Sequence, residues 1–321
     1  MIKVLTTLEF EGAIKEQLEA AAKDCSITYT TQDAVTYDMV KEAEVILGNV
    51  PTGLLHDLPK LRFLQLDSAG ADNYAKLPIF QQENAPVLAN ASGCYGVTIA
   101  EFMVGAILML LRRLHHYRDN MHQHLWEREE LPDVISGKKA LIIGMGDIGE
   151  NFAKRMNAFG AEVYAIRRTQ TAAPEYVKEL HPLEDLSSLL PEMDFVGLSL
   201  PQSPQTMKII NKETLALMKP TAILVNVGRG TAVDCDALAE ALNHGVIKAA
   251  ALDVTDPEPL PADHPLWDCE NALITPHSSG LKRQADPFKK IIARSIRNME
   301  NYLNGEPIES TVDVKTGYRK L

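Results

Sequence analysis

Short apolar runs alternate along this chain with segments of helical period. Ile2 to Leu5, Val45 to Leu47, Phe63 to Leu66 and Val87 to Leu88 read as buried strands, with helix-like stretches such as Gly12 to Lys23 between them. Strands that alternate with helices predict a parallel sheet, because each crossover must return the chain to the same end. A second series begins at Ala140 and runs through Val163 to Ile166, Phe195 to Leu200, Ile223 to Val227, Ala249 to Val254 and Ala272 to Ile274. It predicts a second sheet, doubly wound. Between the two series, Thr98 to about Leu125 is apolar at helical spacing and almost wholly apolar from Phe102 to Leu111, which predicts one long buried helix. One of its faces could equally serve a dimer interface. Phe288 to Leu303 reads as a late helix, stopped by Asn304-Gly305-Glu306-Pro307.

Composition changes this picture little. A chain of 321 residues with 45% hydrophobic and 23% charged residues has material for two globular cores. The formal charge of −11 and the absence of long Lys/Arg runs argue against a nucleic-acid or anionic-membrane surface, so an anionic ligand must be met by local positive groups. Met1-Ile2-Lys3-Val4-Leu5-Thr6 reads as a first strand rather than a leader, and no apolar run has the length of a membrane span; a cytosolic protein is expected. Cys25, Cys94, Cys235 and Cys269 lie far apart and read as plain thiols. No metal site is expected: His115, His116, His122 and His124 lie on one predicted helix and its end without a carboxylate pattern, and read as surface or interface histidines. Trp126 and Trp267 read as packing residues. No internal repeat or low-complexity tract is visible.

The chemistry begins at Gly144-Met145-Gly146-Asp147-Ile148-Gly149, which follows the apolar run Ala140 to Ile143 and precedes a helix-like segment, Glu150 to Phe159. In a strand–turn–helix context this spacing predicts a dinucleotide site: the first glycine permits the turn, the second admits a pyrophosphate, and the third lets helix and strand pack closely. All six loop residues are expected to lie against the cofactor. The next strand, Glu162 to Ile166, ends where an NAD enzyme usually carries an acid for the ribose 2′-hydroxyl. This chain has Arg167-Arg168-Thr169 instead. Two guanidiniums and a hydroxyl suit a 2′-phosphate, so NADP(H) is expected to be preferred, with NAD(H) possible. Asp147 is no obvious substitute for the missing acid. The fold class that follows is α/β, with two doubly wound parallel-sheet domains and a cleft between them: a flavodoxin-like substrate domain of residues 1–97 plus 287–321, and a Rossmann dinucleotide-binding domain of residues 98–286.

Three charged residues stand at or just beyond the ends of the second sheet's strands, where open α/β folds bind ligands. Arg229 lies in Asn226-Val227-Gly228-Arg229-Gly230, and its flanking glycines are expected to leave room for a ligand near the backbone. Its fork of donors could grip a carboxylate in two places. Glu258 lies in the proline-stiffened turn Asp256 to Pro261, and His277 in Thr275-Pro276-His277-Ser278-Ser279-Gly280. A carboxylate beside an imidazole orients it and favours its charged form, giving a proton donor.

With these motifs in place, the chain resembles the D-isomer-specific 2-hydroxyacid dehydrogenases over nearly its whole length. The resemblance rests on Ser68-Ala69-Gly70-Ala71-Asp72, Ile99-Ala100-Glu101, the glycine loop, Asn226 to Gly230, Ala251-Leu252-Asp253-Val254, Glu258 to Trp267 and Thr275 to Gly280, in the family's order. It implies that Arg229 binds and polarises a 2-keto acid, that His277 is the acid/base and that Glu258 is its partner. It further implies that Asp253 contacts the nicotinamide carboxamide, and that backbone amides around Ser68, Ala69 and Gly70 receive the substrate carboxylate. Thr98, Leu200, Pro201, Thr206, Val227 and Gly228 complete the expected cofactor contacts. A homodimer that reduces a small 2-keto acid to the D-2-hydroxy acid is therefore expected, with reduction weakening and oxidation improving as His277 loses its proton. Which keto acid is open: glyoxylate, hydroxypyruvate and bulkier side chains all satisfy Arg229, and Tyr95 could line a pocket for an apolar one. A dinucleotide-sensing corepressor of the same fold is the main alternative. A hydrolase that keeps its nicotinamide bound would need a larger substrate domain, and formate dehydrogenase shares the fold.

Overall fold

The computed structural model describes residues 1–128, 133–169, 171–281 and 285–315. Residues divide into two compact units, 1–95 with 281–321 and 96–280. The end of the expected substrate domain, 316–321, lies outside the described residues, as do 129–132, 170 and 282–284.

The first unit is built on five parallel strands, β1 Ile2–Thr6, β2 Cys25–Tyr29, β3 Val45–Leu47, β4 Phe63–Gln65 and β5 Val87–Ala89, in the order β2-β1-β3-β4-β5. That is the flavodoxin-like order. Its helices include α1 Gly12–Ala21, α2 Tyr37–Glu42 and the single turn α3 Asp72–Ala75. Helix α2 begins where the Thr36 hydroxyl accepts from the Met39 amide, and it carries Asp38 in its first turn and Lys41 in its last. Strands β3 and β4 are fully buried, and Leu5, Ile46, Leu64, Leu66 and Phe80 form part of one core with Val312 from the far end of the chain.

The second unit opens with α4 Gly96–Leu111 and α5 Leu114–His122, followed by seven parallel strands. These are β6 Lys139–Ile143, β7 Glu162–Ile166, β8 Glu179–His181, β9 Phe195–Leu198, β10 Ile223–Asn226, β11 Ala249–Leu252 and β12 Ala272–Ile274, in the order β12-β11-β10-β9-β6-β7-β8. The direction of winding reverses between β6 and β9, as in the Rossmann sheet. Helix α6 Asp147–Ala158 follows β6; α7 Leu186–Leu189, α8 Lys212–Leu217 and α9 Cys235–Asn243 supply the other crossovers. Helix α4 packs on α6, and Gly197 in β9 makes room for both: a Cβ there would lie 2.5 Å from Phe152 of α6 and 3.0 Å from Met103 of α4. A single long helix from Thr98 to Leu125 is not what forms. The backbone turns at Arg113, with φ 52°, and the second piece, α5, buries no residue.

The last helix, α10 Ala285–Asn304, belongs to the first unit. Ile291, Ile292, Ser295, Asn298 and Met299 form its buried face. Two of these are polar because each has a partner: Ser295 donates to the Ile291 carbonyl, and Asn298 donates to Gln65 Oε1 at 2.6 Å.

Candidate active site

The glycine turn is shaped for an anion. Gly144 follows β6 at φ 104°, and the Ser199 hydroxyl donates to its carbonyl at 2.9 Å. A Cβ on Gly149 would fall 1.9 Å from that same carbonyl oxygen, so any side chain would push α6 off β6. Gly146 is the opposite case: nothing lies within 4 Å of where its Cβ would be. It is the N-cap of α6 and offers no side chain to the helix's first amides, which leaves those donors and the positive end of the dipole for a phosphate. The residues present therefore fit a dinucleotide pyrophosphate. Met145 is buried, and Ile148 is half-buried. The Asp147 side chain anchors the start of α4: Oδ2 accepts from the Gly96 amide at 2.7 Å, and Oδ1 from Asn151 at 3.3 Å.

Arg167 leaves the end of β7 with its amide bonded to the His181 carbonyl at 3.0 Å. Its guanidinium stands 3.8 Å from Glu150 Oε1 on α6. Arg168 and Thr169 are exposed beside it.

Arg229, Glu258 and His277 follow three strands that are neighbours in the sheet, β10, β11 and β12. Asn226, fully buried, shapes the first turn: its Oδ1 accepts from the Gly228 amide at 3.1 Å and its Nδ2 donates to the Arg229 carbonyl at 3.0 Å. The Arg229 guanidinium donates to the Gly228 carbonyl at 2.8 Å. The glycines beside Arg229 were expected to leave room for a ligand, but the space a Cβ would take at each is filled by protein. A Cβ on Gly228 would meet the Leu200 backbone at 2.5 Å, and one on Gly230 the Thr255 carbonyl at 1.9 Å.

His277 and Glu258 meet: the imidazole Nδ1 lies 2.8 Å from Glu258 Oε1, with both side chains about half exposed. With Nδ1 donating to the carboxylate, Nε2 is the nitrogen left to exchange a proton. Asp253 holds the loop that carries this ring. Its carboxylate, 1% exposed, accepts from Thr275 Oγ1 at 2.6 Å, the Ser278 amide at 2.8 Å, the Ser279 amide at 3.0 Å and the Ser279 hydroxyl. Two oxygens offer about four acceptor sites, and the loop occupies them. Through these bonds Asp253 positions the loop of His277. The buried hydroxyl of Thr206 donates to the Pro201 carbonyl at 2.8 Å and accepts from the Ser203 amide at 2.9 Å, which shapes the turn after β9. Thr98, Leu200 and Pro201 are half-buried, while Val227 is buried with its amide on the Leu198 carbonyl.

In the first unit, the loop after β4 presents amides. Its carbonyls are engaged in succession: Asp67 by the Tyr95 hydroxyl at 2.5 Å, Ser68 by the Ala91 amide at 2.9 Å, Ala69 by Asn90 Nδ2 at 2.6 Å and Gly70 by the Ser68 hydroxyl at 2.7 Å. No described residue accepts from the amides of Ser68, Ala69 or Gly70, which leaves these donors for another acceptor. Asn49, Asn90 and Tyr95 position the loop and were not singled out for this from sequence. Tyr95, 6% exposed, is a clamp on Asp67 rather than a pocket wall.

Elsewhere the expectations divide. The four cysteines are free thiols, and burial pushes Cys235 and Cys269 above the ordinary thiol range. Among the described residues no cluster can hold a metal, and no helix is long and apolar enough to cross a membrane. Trp126 is not a packing residue, being fully exposed, and Trp267 is half exposed with its indole donating to the Pro261 carbonyl.

An imidazole–carboxylate pair over the strand ends and a phosphate-ready turn at the winding reversal occur together in dehydrogenases, where a proton and a hydride reach one oxygen–carbon pair. Residues 104–279 match the family model described as D-isomer specific 2-hydroxyacid dehydrogenase, NAD binding domain. A glyoxylate/hydroxypyruvate reductase B of Pectobacterium atrosepticum is 33% identical over 306 residues, covering 91% of this chain and 93% of that one. A D-3-phosphoglycerate dehydrogenase of Methanocaldococcus jannaschii is 31% identical over 98% of this chain, which spans 60% of that relative. The crystal structure of a D-isomer specific 2-hydroxyacid dehydrogenase from Xanthobacter autotrophicus Py2, in complex with NADPH and MES, superposes with a TM-score of 0.81 at 26% identity, covering 99% of each chain. The chain belongs to the D-isomer specific 2-hydroxyacid dehydrogenase family, and it is an NAD(P)-dependent oxidoreductase acting on a CH–OH group.

Proposed function

We propose that this protein is a cytoplasmic, NADPH-preferring reductase that converts a small 2-keto acid to the D-2-hydroxy acid. The 2.8 Å contact between His277 and Glu258 carries this reading, because it fixes which ring nitrogen meets the substrate. A reduced nicotinamide bound beside it supplies the hydride for the keto carbon. Arg229 holds the carbonyl and stabilises the negative charge that grows on its oxygen. His277, protonated, gives that oxygen its proton from Nε2, and Glu258 keeps the imidazolium oriented. The free amides of Ser68, Ala69 and Gly70 receive the substrate carboxylate. Asp253 acts through the loop of His277 and does not touch the cofactor through its carboxylate. Residues 1–95 with the chain's last segment serve as the substrate domain, and 96–280 as the dinucleotide-binding domain.

Within 2-keto acids, glyoxylate and hydroxypyruvate are favoured by the Pectobacterium relative. The corepressor alternative is not supported by relatives that are themselves named as reductases. The test is oxidation of NADPH, and separately NADH, against a panel of 2-keto acids. Turnover with NADPH that falls by at least about a hundredfold in both Arg229→Ala and His277→Ala is expected. Tight nicotinamide binding without turnover on any keto acid would return the corepressor reading.

A further inference from the structure

We infer that Glu150 is a specificity-determining residue at the cofactor's adenosine ribose, where it competes with a 2′-phosphate for Arg167 and accepts from a 2′-hydroxyl when no phosphate is present. The inference deepens the cofactor reading above and rests on it. A NAD-type site carries an acid at the end of the second strand of its βαβ unit, and this chain has Arg167 there instead. Asp147 is engaged elsewhere, its carboxylate accepting from the Gly96 amide and from Asn151.

Glu150 reaches the same place from the helix. Its amide donates to the Gly146 carbonyl at 2.8 Å, so it sits one turn into α6 from the open glycine. Its carboxylate lies 3.8 Å from the Arg167 guanidinium, outside direct hydrogen-bond range, and the two side chains are 38% and 29% exposed. Both remain open to a ligand. Tyr176 feels the charge of both: burial pushes its hydroxyl above the ordinary range, Glu150 pushes it the same way, and Arg167 opposes. Lys154, one further turn along α6, lies 5.3 Å above the Tyr176 ring. The end of β7 is thus a mixed-charge cluster and not a purely basic pocket.

The two cofactors meet this cluster differently. A 2′-phosphate takes the donors of Arg167 and leaves Glu150 facing a second anion. A 2′-hydroxyl leaves the Arg167–Glu150 pair standing and gives the carboxylate a proton donor. Glu150 therefore weakens NADPH and supports NADH, which narrows the preference that Arg167 alone would set. Partly exposed pairs of this kind change binding by about two- to fivefold.

The test uses the full-length protein with Glu150→Gln and Arg167→Ala. Dissociation constants are measured for NADPH and NADH by fluorescence, and for 2′,5′-ADP and 5′-ADP by displacement, so no turnover is needed. Glu150→Gln should tighten NADPH and 2′,5′-ADP by about two- to fivefold and weaken NADH and 5′-ADP by a similar factor. Arg167→Ala should weaken NADPH by at least about tenfold and leave NADH within about twofold. If Arg167→Ala behaves so but Glu150→Gln leaves the NADPH/NADH ratio unchanged, or moves both cofactors alike, Glu150 is a surface ion-pair partner only and the inference is overturned. If Arg167→Ala shows no selective loss of NADPH, the cofactor reading at Arg167 fails and the inference falls with it.

Discussion

His277 sits at φ 49°, a left-handed value uncommon for a residue with a Cβ, and its amide is bonded to the carbonyls of Asp253 and Thr275. Such a conformation costs on the order of 1 kcal/mol or more and persists where its surroundings over-determine it. Here Asp253 supplies that constraint through its side chain and its backbone. Asp253→Ala should leave four loop donors without that partner, lowering stability by roughly 1–3 kcal/mol in denaturant unfolding. It should also reduce kcat while the Kd of the cofactor stays within about twofold; a large rise in that Kd would restore the carboxamide contact. His277→Gln should lower reductive turnover by about 10²–10⁴-fold and flatten its pH profile. In the unsubstituted enzyme, rising pH removes the proton that reduction consumes and creates the base that oxidation needs. The rate of reduction should therefore fall with pH while that of oxidation rises, measured on the same keto acid and hydroxy acid couple. Arg229, Glu258 and His277 were legible in sequence because they stand beside Gly and Pro at strand ends. Asn90 was not, since its work is a hydrogen bond to the Ala69 carbonyl, distant in the chain, and the hold of Asp253 on the His277 loop was hidden for the same reason.

Helices α4 and α6 and strand β9 meet where Gly197 has no side chain, and the fit leaves no slack. Gly197→Ala should force Phe152 or Met103 off its position and lower stability by about 1–3 kcal/mol, read from chemical denaturation. The apolar pattern located every strand buried on both sides, but it passed over β2 and β8. Both are edge strands: Cys25–Tyr29 is largely exposed, and Glu179–His181 has no fully buried residue. An edge strand has one neighbour and little core, so its sequence need not be apolar. The break between α4 and α5 was likewise hidden, because Arg113 takes the left-handed conformation with neither Gly nor Pro to announce it.

Across the whole molecule, exposed apolar side chains gather on and after α5: Leu114, Tyr117, Met121, Leu125 and Trp126. A face of this kind fits a second copy of the chain. Light scattering on a sizing column should give the mass of a dimer, and Leu114→Glu with Met121→Glu should shift it to that of a monomer. The second feature at this scale is that the first unit is closed by the far end of the chain. Val312 bonds to the Leu88 carbonyl, Thr311 bridges Ala89, Arg294 donates to the Ser92 carbonyl, and Tyr302 stacks on Phe63. On the ribosome, the residues made first must then wait for those made last. Residues 96–280 emerge with their sheet entire and can fold at once, whereas β1 to β5 stand without α10 until all of that second unit has been made. A nascent chain stalled with Gly280 clear of the ribosome and Leu281 onward still inside should resist protease over 96–280 and be cut within 1–95. For that interval the open apolar strands β3 and β4 are the part of the molecule that a chaperone has to cover.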